Sequence, residues 1–116
     1  MTLRMARIIA RATARLVGGV QRTVWLVEDE EERGYRLVVA QGWSLMERPF
    51  ESFPDAFARF LEYANGGLVR RGGVLSPEFP EGVDAEIERL PPQEELRAAW
   101  ERIGGKIEEE GAGGGG

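Results

Sequence analysis

The stretch "ARIIARATARLVGGVQRTVWLV", residues 6–27, sets two β-prone runs on either side of Gly18-Gly19. Arg7, Arg11 and Arg15 recur every four residues, a spacing that fits one face of a strand and also one stripe of a helix. The many alanines favour the helix. The two glycines supply the positive φ angles of a tight hairpin turn, and the even positions from 8 to 16 form an unbroken apolar face. The stretch therefore predicts two antiparallel strands.

The position of the turn sets the predicted register. If the two valines that flank the glycines pair, Arg15 faces Arg22 and Arg11 faces Leu26, while Trp25 joins the apolar core face. Like charges directly opposite each other are destabilising, unless an anion such as a phosphate sits between them. A solvated face whose arginines serve heat stability is the alternative. The predicted phosphate contacts are Arg7, Arg11, Arg15 and Arg22, and the predicted base contacts are Ile9 and Leu26.

Two further β-prone runs extend the predicted sheet to four strands, over residues 6–17, 20–28, 34–40 and 43–48. A five-residue loop over 29–33 would put Arg36 on the arginine face. The next turn leaves two options open. A two-residue turn at "QG" brings Trp43 to the arginine face, whereas a three-residue loop sends Trp43 into the core and brings Arg48 to that face instead.

A helix follows in "ESFPDAFARFLEYANGG". Ser52 and Asp55 form a capping box, aromatic residues recur at helical spacing, and Gly66 supplies a stop. This amphipathic helix is expected to cover one face of the sheet. The predicted fold is thus α+β: a four-stranded antiparallel sheet with one face covered by a helix, plus a C-terminal helical segment, and not an OB-fold.

The composition divides the chain into four segments. Residues 1–67 form the predicted nucleic-acid-binding domain, 68–91 a Gly/Pro-rich connection that admits a short helical turn over Asp84–Leu90, and 111–116 a disordered tail. A helix over 92–110 begins at Pro92, and Gly104-Gly105 weakens or bends it. Its apolar stripe can fold back on the domain or serve as an oligomerisation arm, and it consists of Leu96, Trp100, Ile103 and Ile107.

Charge and composition exclude several classes of function. The net charge is −5, yet residues 1–27 contain five arginines and no acid, which indicates a basic binding region. The chain has no cysteine and no histidine, so thiol and imidazole chemistry and the usual zinc sites are excluded. We therefore expect no enzyme, no cofactor, no metal and no small-molecule substrate. No apolar run approaches a membrane span, and a cytoplasmic address is expected. Fourteen arginines against one lysine are typical of heat adaptation, and a GC-rich genome would produce the same bias.

The layout resembles the ThermoDBP-related proteins, small single-stranded DNA-binding proteins of hyperthermophilic archaea. The resemblance lies in "RIIARATARLVGGVQRTVWLV", "GYRLVVAQGWSLMERPF" and "FPDAFARFLEYANGG". It implies sequence-independent binding of single-stranded DNA by arginines and aliphatic side chains, in a homodimer or homotetramer. The C-terminal segment departs from the long leucine zipper of the name-giving members. The alternatives are a regulatory module whose basic face binds an acidic protein partner and, less favoured, an RNA-binding protein.

Overall fold

The computed structural model describes residues 6–31 and 33–110, which form an α+β fold. Its helices are α1 (Phe53–Tyr63) and α2 (Gln93–Arg102). Its strands are β1 (Ala6–Arg15), β2 (Gln21–Asp29), β3 (Gly34–Gln41), β4 (Ser44–Phe50), β5 (Gly67–Arg71), β6 (Val74–Glu78), β7 (Val83–Ile87) and β8 (Ile107–Glu109).

These strands form two sheets. The larger is antiparallel with the order β4-β3-β2-β1-β7, so a strand from the segment after α1 returns to pair with β1. The smaller has the order β6-β5-β8, and β8 joins it in parallel. The first four strands are confirmed close to their predicted bounds, but the larger sheet has five strands where four were expected.

The core lies between the two sheets and around α1. Ser52 caps α1 by accepting a hydrogen bond from the Asp55 backbone N–H at 3.4 Å, as predicted. Phe57 and Phe60 of α1 are fully buried against the larger sheet, the smaller sheet and α2. No described helix packs against the opposite side of the larger sheet. We call that side the open face, and it carries Ile8, Arg11, Thr13, Arg15, Thr23, Trp25, Val27, Arg36, Val38, Ala40, Leu45 and Glu47.

The predicted register between β1 and β2 is wrong by one residue. A three-residue turn over Val17–Gly19 replaces the two-residue turn, because the Leu16 N–H donates to the Val20 carbonyl at 2.6 Å. Arg15 therefore lies opposite Gln21, and Arg22 lies opposite Ala14. A one-residue slip moves every side chain of a strand to the other face. On β2, the predicted core and binding faces are consequently exchanged.

A β-bulge at Ile9 changes the first strand as well. Ile9 and Ala10 both turn towards the core, while Ile8, predicted to be in the core, is exposed on the open face. Beyond the bulge Arg7 lies opposite Glu28, on the side that α1 covers. A bulge leaves one residue unpaired and shifts the alternation of all residues beyond it. The predicted stripe is thus divided, with Arg11 and Arg15 on one face and Arg7 on the other.

The segment 68–91 also differs from its prediction. It contains most of β5 and all of β6 and β7, and Val83–Ile87 is a strand where a helical turn over Asp84–Leu90 had been considered. The final helix is shorter than predicted, because Gly104 has a φ of 86° just beyond its end. The predicted disordered tail, 111–116, lies outside the described residues.

Candidate nucleic-acid interface

Three carboxylates on β7 or just after it, those of Asp84, Glu86 and Glu88, form ion pairs with two of the predicted phosphate contacts, Arg7 and Arg11. The β1–β7 register places Glu86 opposite Arg11, whose Nη2 lies 3.5 Å from Glu86 and 3.5 Å from Asp84. Arg7 donates hydrogen bonds to both carboxylate oxygens of Glu88. These hydrogen bonds, with the negative charge of Glu88, raise the pKa of Arg7. Neither guanidinium presents an uncompensated charge to a polyanion.

Arg36 shares the open face with Arg11, as predicted, and it is compensated too. Its guanidinium lies 3.9 Å from Asp29 and 3.9 Å from Glu47. The open face therefore alternates positive and negative groups around the half-buried Trp25. Such a face has little net attraction for phosphates.

The arginines without a carboxylate partner have a different distribution. Within residues 6–31 and 33–110, those that form no ion pair are Arg15, Arg22, Arg33 and Arg48. Arg33 lies in the loop between β2 and β3. Arg15 lies at the other end of the sheet, where β1 ends before its turn, and Arg22 is the second residue of β2 there. Two of the four, Arg15 and Arg22, thus lie at the end that holds the β1–β2 and β3–β4 turns, whereas Arg48 lies opposite Leu37 near the middle of the sheet.

Arg22 and Arg48 converge on one tyrosine. Arg22 donates from Nε to Gln41 Oε1 at 2.9 Å and from Nη1 to the Tyr63 carbonyl at 3.2 Å. A guanidinium has five N–H donors, so three remain on Arg22 for a ligand. Arg48 lies 3.5 Å from the Tyr63 hydroxyl and stacks over the Phe50 ring. Tyr63, the last residue of α1, therefore contacts Arg22 of the central strand β2 through its carbonyl and Arg48 of the edge strand β4 through its hydroxyl.

A cavity of about 300 Å³ opens beside Arg22 and Tyr63. We call it the tip groove, and its lining residues are Arg22, Val39, Gln41, Ser44, Leu45, Met46 and Tyr63. It combines a guanidinium, hydroxyl and amide groups, and apolar side chains. These are the groups that bind a phosphodiester backbone on one side and unstacked bases on the other.

Trp43 stands next to the tip groove and is fully exposed. Gln41 pairs with Ser44, so Gly42 and Trp43 form a two-residue turn, in which Gly42 takes the positive φ of 57°. Neither predicted turn is correct, because Trp43 lies in the turn itself and on neither face of the sheet. The neighbouring turn adds the exposed valines Val17 and Val20. This end of the molecule thus presents aromatic and aliphatic side chains next to free guanidinium groups.

Several predicted site residues are unavailable to a ligand. Ile9 is 2% exposed and Leu26 is fully buried, so the prediction that they contact bases is wrong. The predicted oligomerisation stripe is also taken up by the chain's own core. Leu96 and Trp100 are buried there, and the partly buried residues packed against it include Ile103 and Ile107. Trp100 donates its indole N–H to the Lys106 carbonyl at 2.9 Å, which holds β8 against α2.

Sequence reasoning missed Tyr63, Gln41 and Ser44, which have no local motif because β-pairing and the end of α1 bring them together. It also missed the acidic partners of the stripe, for which a signal exists. In "VDAEIE", residues 83–88, acids alternate with apolar residues, and this period of two predicts a strand with an acidic face. An acidic strand beside a basic one is the pairing that cross-strand charges favour.

No family model matches the chain, and neither a curated protein nor a solved structure matches it. In the described ranges, no three of the residues Asp and Glu cluster in a way that could hold a metal ion. Neither α1 nor α2 has the length and apolar character to cross a membrane.

Proposed function

We propose that this chain binds single-stranded DNA without catalysing a reaction. The site comprises the tip groove, Trp43 and the flanking Arg15 and Arg48. The observation that carries the proposal is the coincidence of two features at one end of the sheet. Arg15 and Arg22, which form no ion pair among the described residues, lie there, and so does the fully exposed Trp43.

The chemistry of each group supports this ligand. Arg22 and Arg48 are held by neutral partners, so they keep their charge for phosphates, which guanidinium binds bidentately. Trp43 offers both faces of its indole to a base, and stacking of this kind tolerates any base. The site is an open groove at the edge of a sheet, which suits a flexible strand whose bases are unpaired. Binding is therefore largely independent of sequence.

The predictions about heat adaptation, cellular location and oligomeric state are part of this proposal. The ThermoDBP-related resemblance implies the same class of ligand, together with a heat-adapted, cytoplasmic and oligomeric protein. The set of arginines proposed to contact the DNA backbone differs, however, from the set predicted from the sequence. Arg15, Arg22 and Arg48 remain in the proposed site, whereas Arg7, Arg11 and Arg36 are compensated by carboxylates.

The test is a fluorescence anisotropy titration of labelled oligothymidylate. We compare the wild type, the double variant Arg22→Gln/Arg48→Gln and a matched control, Arg7→Gln/Arg11→Gln. Each lost contact to a single-stranded phosphate lowers the salt slope of log K by about 0.7. The Arg22/Arg48 variant should then lose about 1.4 from the slope and about tenfold in affinity at physiological salt. The control pair should stay within about twofold, because its charges already have partners.

Two results would contradict the proposal. One is no binding of oligothymidylate by the wild type at low salt, and the other is equal losses in the two double variants. Duplex DNA and single-stranded RNA are titrated in parallel. Tighter binding of the duplex would exclude a site built for unpaired bases. Tighter binding of RNA would assign the same groove to the other nucleic acid.

A further inference from the structure

Strand β4 is an edge strand with an unusually exposed apolar segment. It ends the order of the larger sheet, so one side of its backbone has no neighbouring strand among the described residues. Every side chain from Ser44 to Pro49 is exposed, and the Leu45 side chain is 68% exposed. An open and apolar edge of this kind is a template for pairing with another strand.

The register shows which backbone groups of β4 point outwards. Gln41 and Ser44 close a two-residue hairpin, and such a closing pair exchanges both hydrogen bonds. Bonded and non-bonded pairs then alternate along β4, so Leu45, Glu47 and Pro49 direct their backbone groups away from β3. Pro49 fits this pattern, because it has no N–H to offer and proline is tolerated on the free side of an edge strand. Leu45 and Glu47 remain with unused outward N–H and carbonyl groups.

Other sheet edges in the described chain are blunted. On β6, the Gln93 side chain bonds to the Leu75 backbone N–H at 2.6 Å and to its carbonyl at 3.2 Å, as a neighbouring strand would. Edge strand β7 carries the two exposed carboxylates of Asp84 and Glu86. Short length, charge and covering groups are the usual means of preventing edge pairing. The part of β4 before Pro49 has no covering group among the described residues, and its only charged residues are Glu47 and Arg48.

We propose that β4 pairs with β4 of a second copy of this chain, in antiparallel orientation and with Met46 opposite Met46. The Leu45 of each copy then faces Glu47 of the other, and these pairs exchange four N–H···O=C hydrogen bonds. Arg48 faces Ser44 of the second copy. The result is a continuous ten-stranded sheet.

Charge selects this register. A shift that centres the pair on Glu47 would set two carboxylates opposite each other, which is destabilising. Centring on Met46 avoids that repulsion and brings two exposed thioethers together in a non-hydrogen-bonded pair, in which Cα atoms are about 4.5 Å apart. Trp43 lies in the turn before the ladder, so the dimer leaves its indole outside the pairing. The inference does not rest on DNA binding.

The absence of cysteine from the sequence permits a direct test by disulfide trapping. A Met46→Cys pair would have the Cα separation that a disulfide requires, about 4.4–6.8 Å. Met46→Cys should therefore form a cross-linked dimer of twice the 12.9 kDa monomer mass under mild oxidation. The matched control is Val74→Cys, since Val74 is 53% exposed on the blunted edge strand β6. Its cross-linking should be at least about tenfold slower, because only random collisions bring two copies of β6 together.

Light scattering of the unmodified chain at high micromolar concentration is the second measurement, with twice the monomer mass expected. Leu45→Pro removes only an outward N–H, so it should give a monomer with an unchanged circular dichroism spectrum. The inference is overturned by a monomeric wild type, or by equal cross-linking rates at positions 46 and 74. A folded Leu45→Pro variant that remains dimeric also overturns it. A monomeric wild type that still binds oligothymidylate would overturn this inference and leave the DNA-binding proposal intact.

Discussion

Replacement of Trp43 by alanine should separate binding from folding more cleanly than any other single change. The indole is fully exposed in a two-residue turn, so it buries no surface when the chain folds. Its removal should change the free energy of unfolding by less than about 0.5 kcal/mol, the range of ordinary surface substitutions. For a chain of this length, that change shifts the Tm by about 2 °C at most.

The effect on binding should be much larger. Base–aromatic stacking is worth about 1–3 kcal/mol per base when the aromatic residue is replaced by alanine. Because the turn presents a single indole, we expect the loss of one stacked base. This corresponds to an increase in Kd of roughly five- to 150-fold. Trp43→Phe should recover most of the affinity, since a phenyl ring also stacks.

The assay is anisotropy with labelled oligothymidylate, together with a thermal melt of each variant. Trp25→Phe is the control on the open face and should bind like the wild type. An unchanged Kd for Trp43→Ala with an unchanged Tm would refute the proposed stacking of a base on Trp43. An equal loss of affinity in Trp25→Phe would move the binding site to the open face.

Three stability predictions test the packing and the register. Leu26→Ala should cost about 2–5 kcal/mol of unfolding free energy, because the side chain is fully buried. Gly105→Ala should cost about 1–3 kcal/mol, since a Cβ there would overlap the Trp100 indole. Ser52→Ala should cost about 0.5–2 kcal/mol through loss of the hydrogen bond from the Asp55 N–H. All three are measured by urea denaturation.

Each change has a matched control in the same assay. Val38→Ala on the open face should cost less than Leu26→Ala, and equally small costs would favour the register predicted from sequence, in which both residues share the arginine face. Gly67→Ala should be tolerated better than Gly105→Ala, because its Cβ would meet nothing within 4 Å. Ser44→Ala, at an exposed strand position, should leave stability unchanged. An equal effect at Ser52 would mean that the cap contributes nothing.

The strands β1 to β4 and the helix α1 could be predicted because their signals are local. Gly18-Gly19 marks a turn whatever its length, and Ser52 followed by Asp55 marks a helix start. The fold class, α+β with an antiparallel sheet, follows from these signals alone. Strand β7 also had a local signal, the alternation of acids in residues 83–88, which glycine and proline in the surrounding segment obscured.

The location of the candidate site depends on turn length, on a β-bulge and on long-range strand pairing, and local sequence signals determine none of these. Two glycines fit a turn of two or of three residues, and the choice decides whether Leu26 or Trp25 faces the core. The bulge at Ile9 has no local sequence signal, and it removes Arg7 from the stripe. The neutralisation of Arg11 depends on a strand more than 70 residues later in the chain. Spacing alone therefore identified the arginines but not which of them are free.

The most direct test of the central claim uses the three tryptophans as position markers. Trp43 lies at the tip, Trp25 on the open face and Trp100 in the core. Their indole N–H signals in a nitrogen–proton correlation spectrum are followed as oligothymidylate is added. We predict that the Trp43 signal shifts while those of Trp25 and Trp100 stay in place. A shift of the Trp25 signal with the Trp43 signal unmoved would contradict the claim that single-stranded DNA binds at the end of the sheet that holds the β1–β2 and β3–β4 turns.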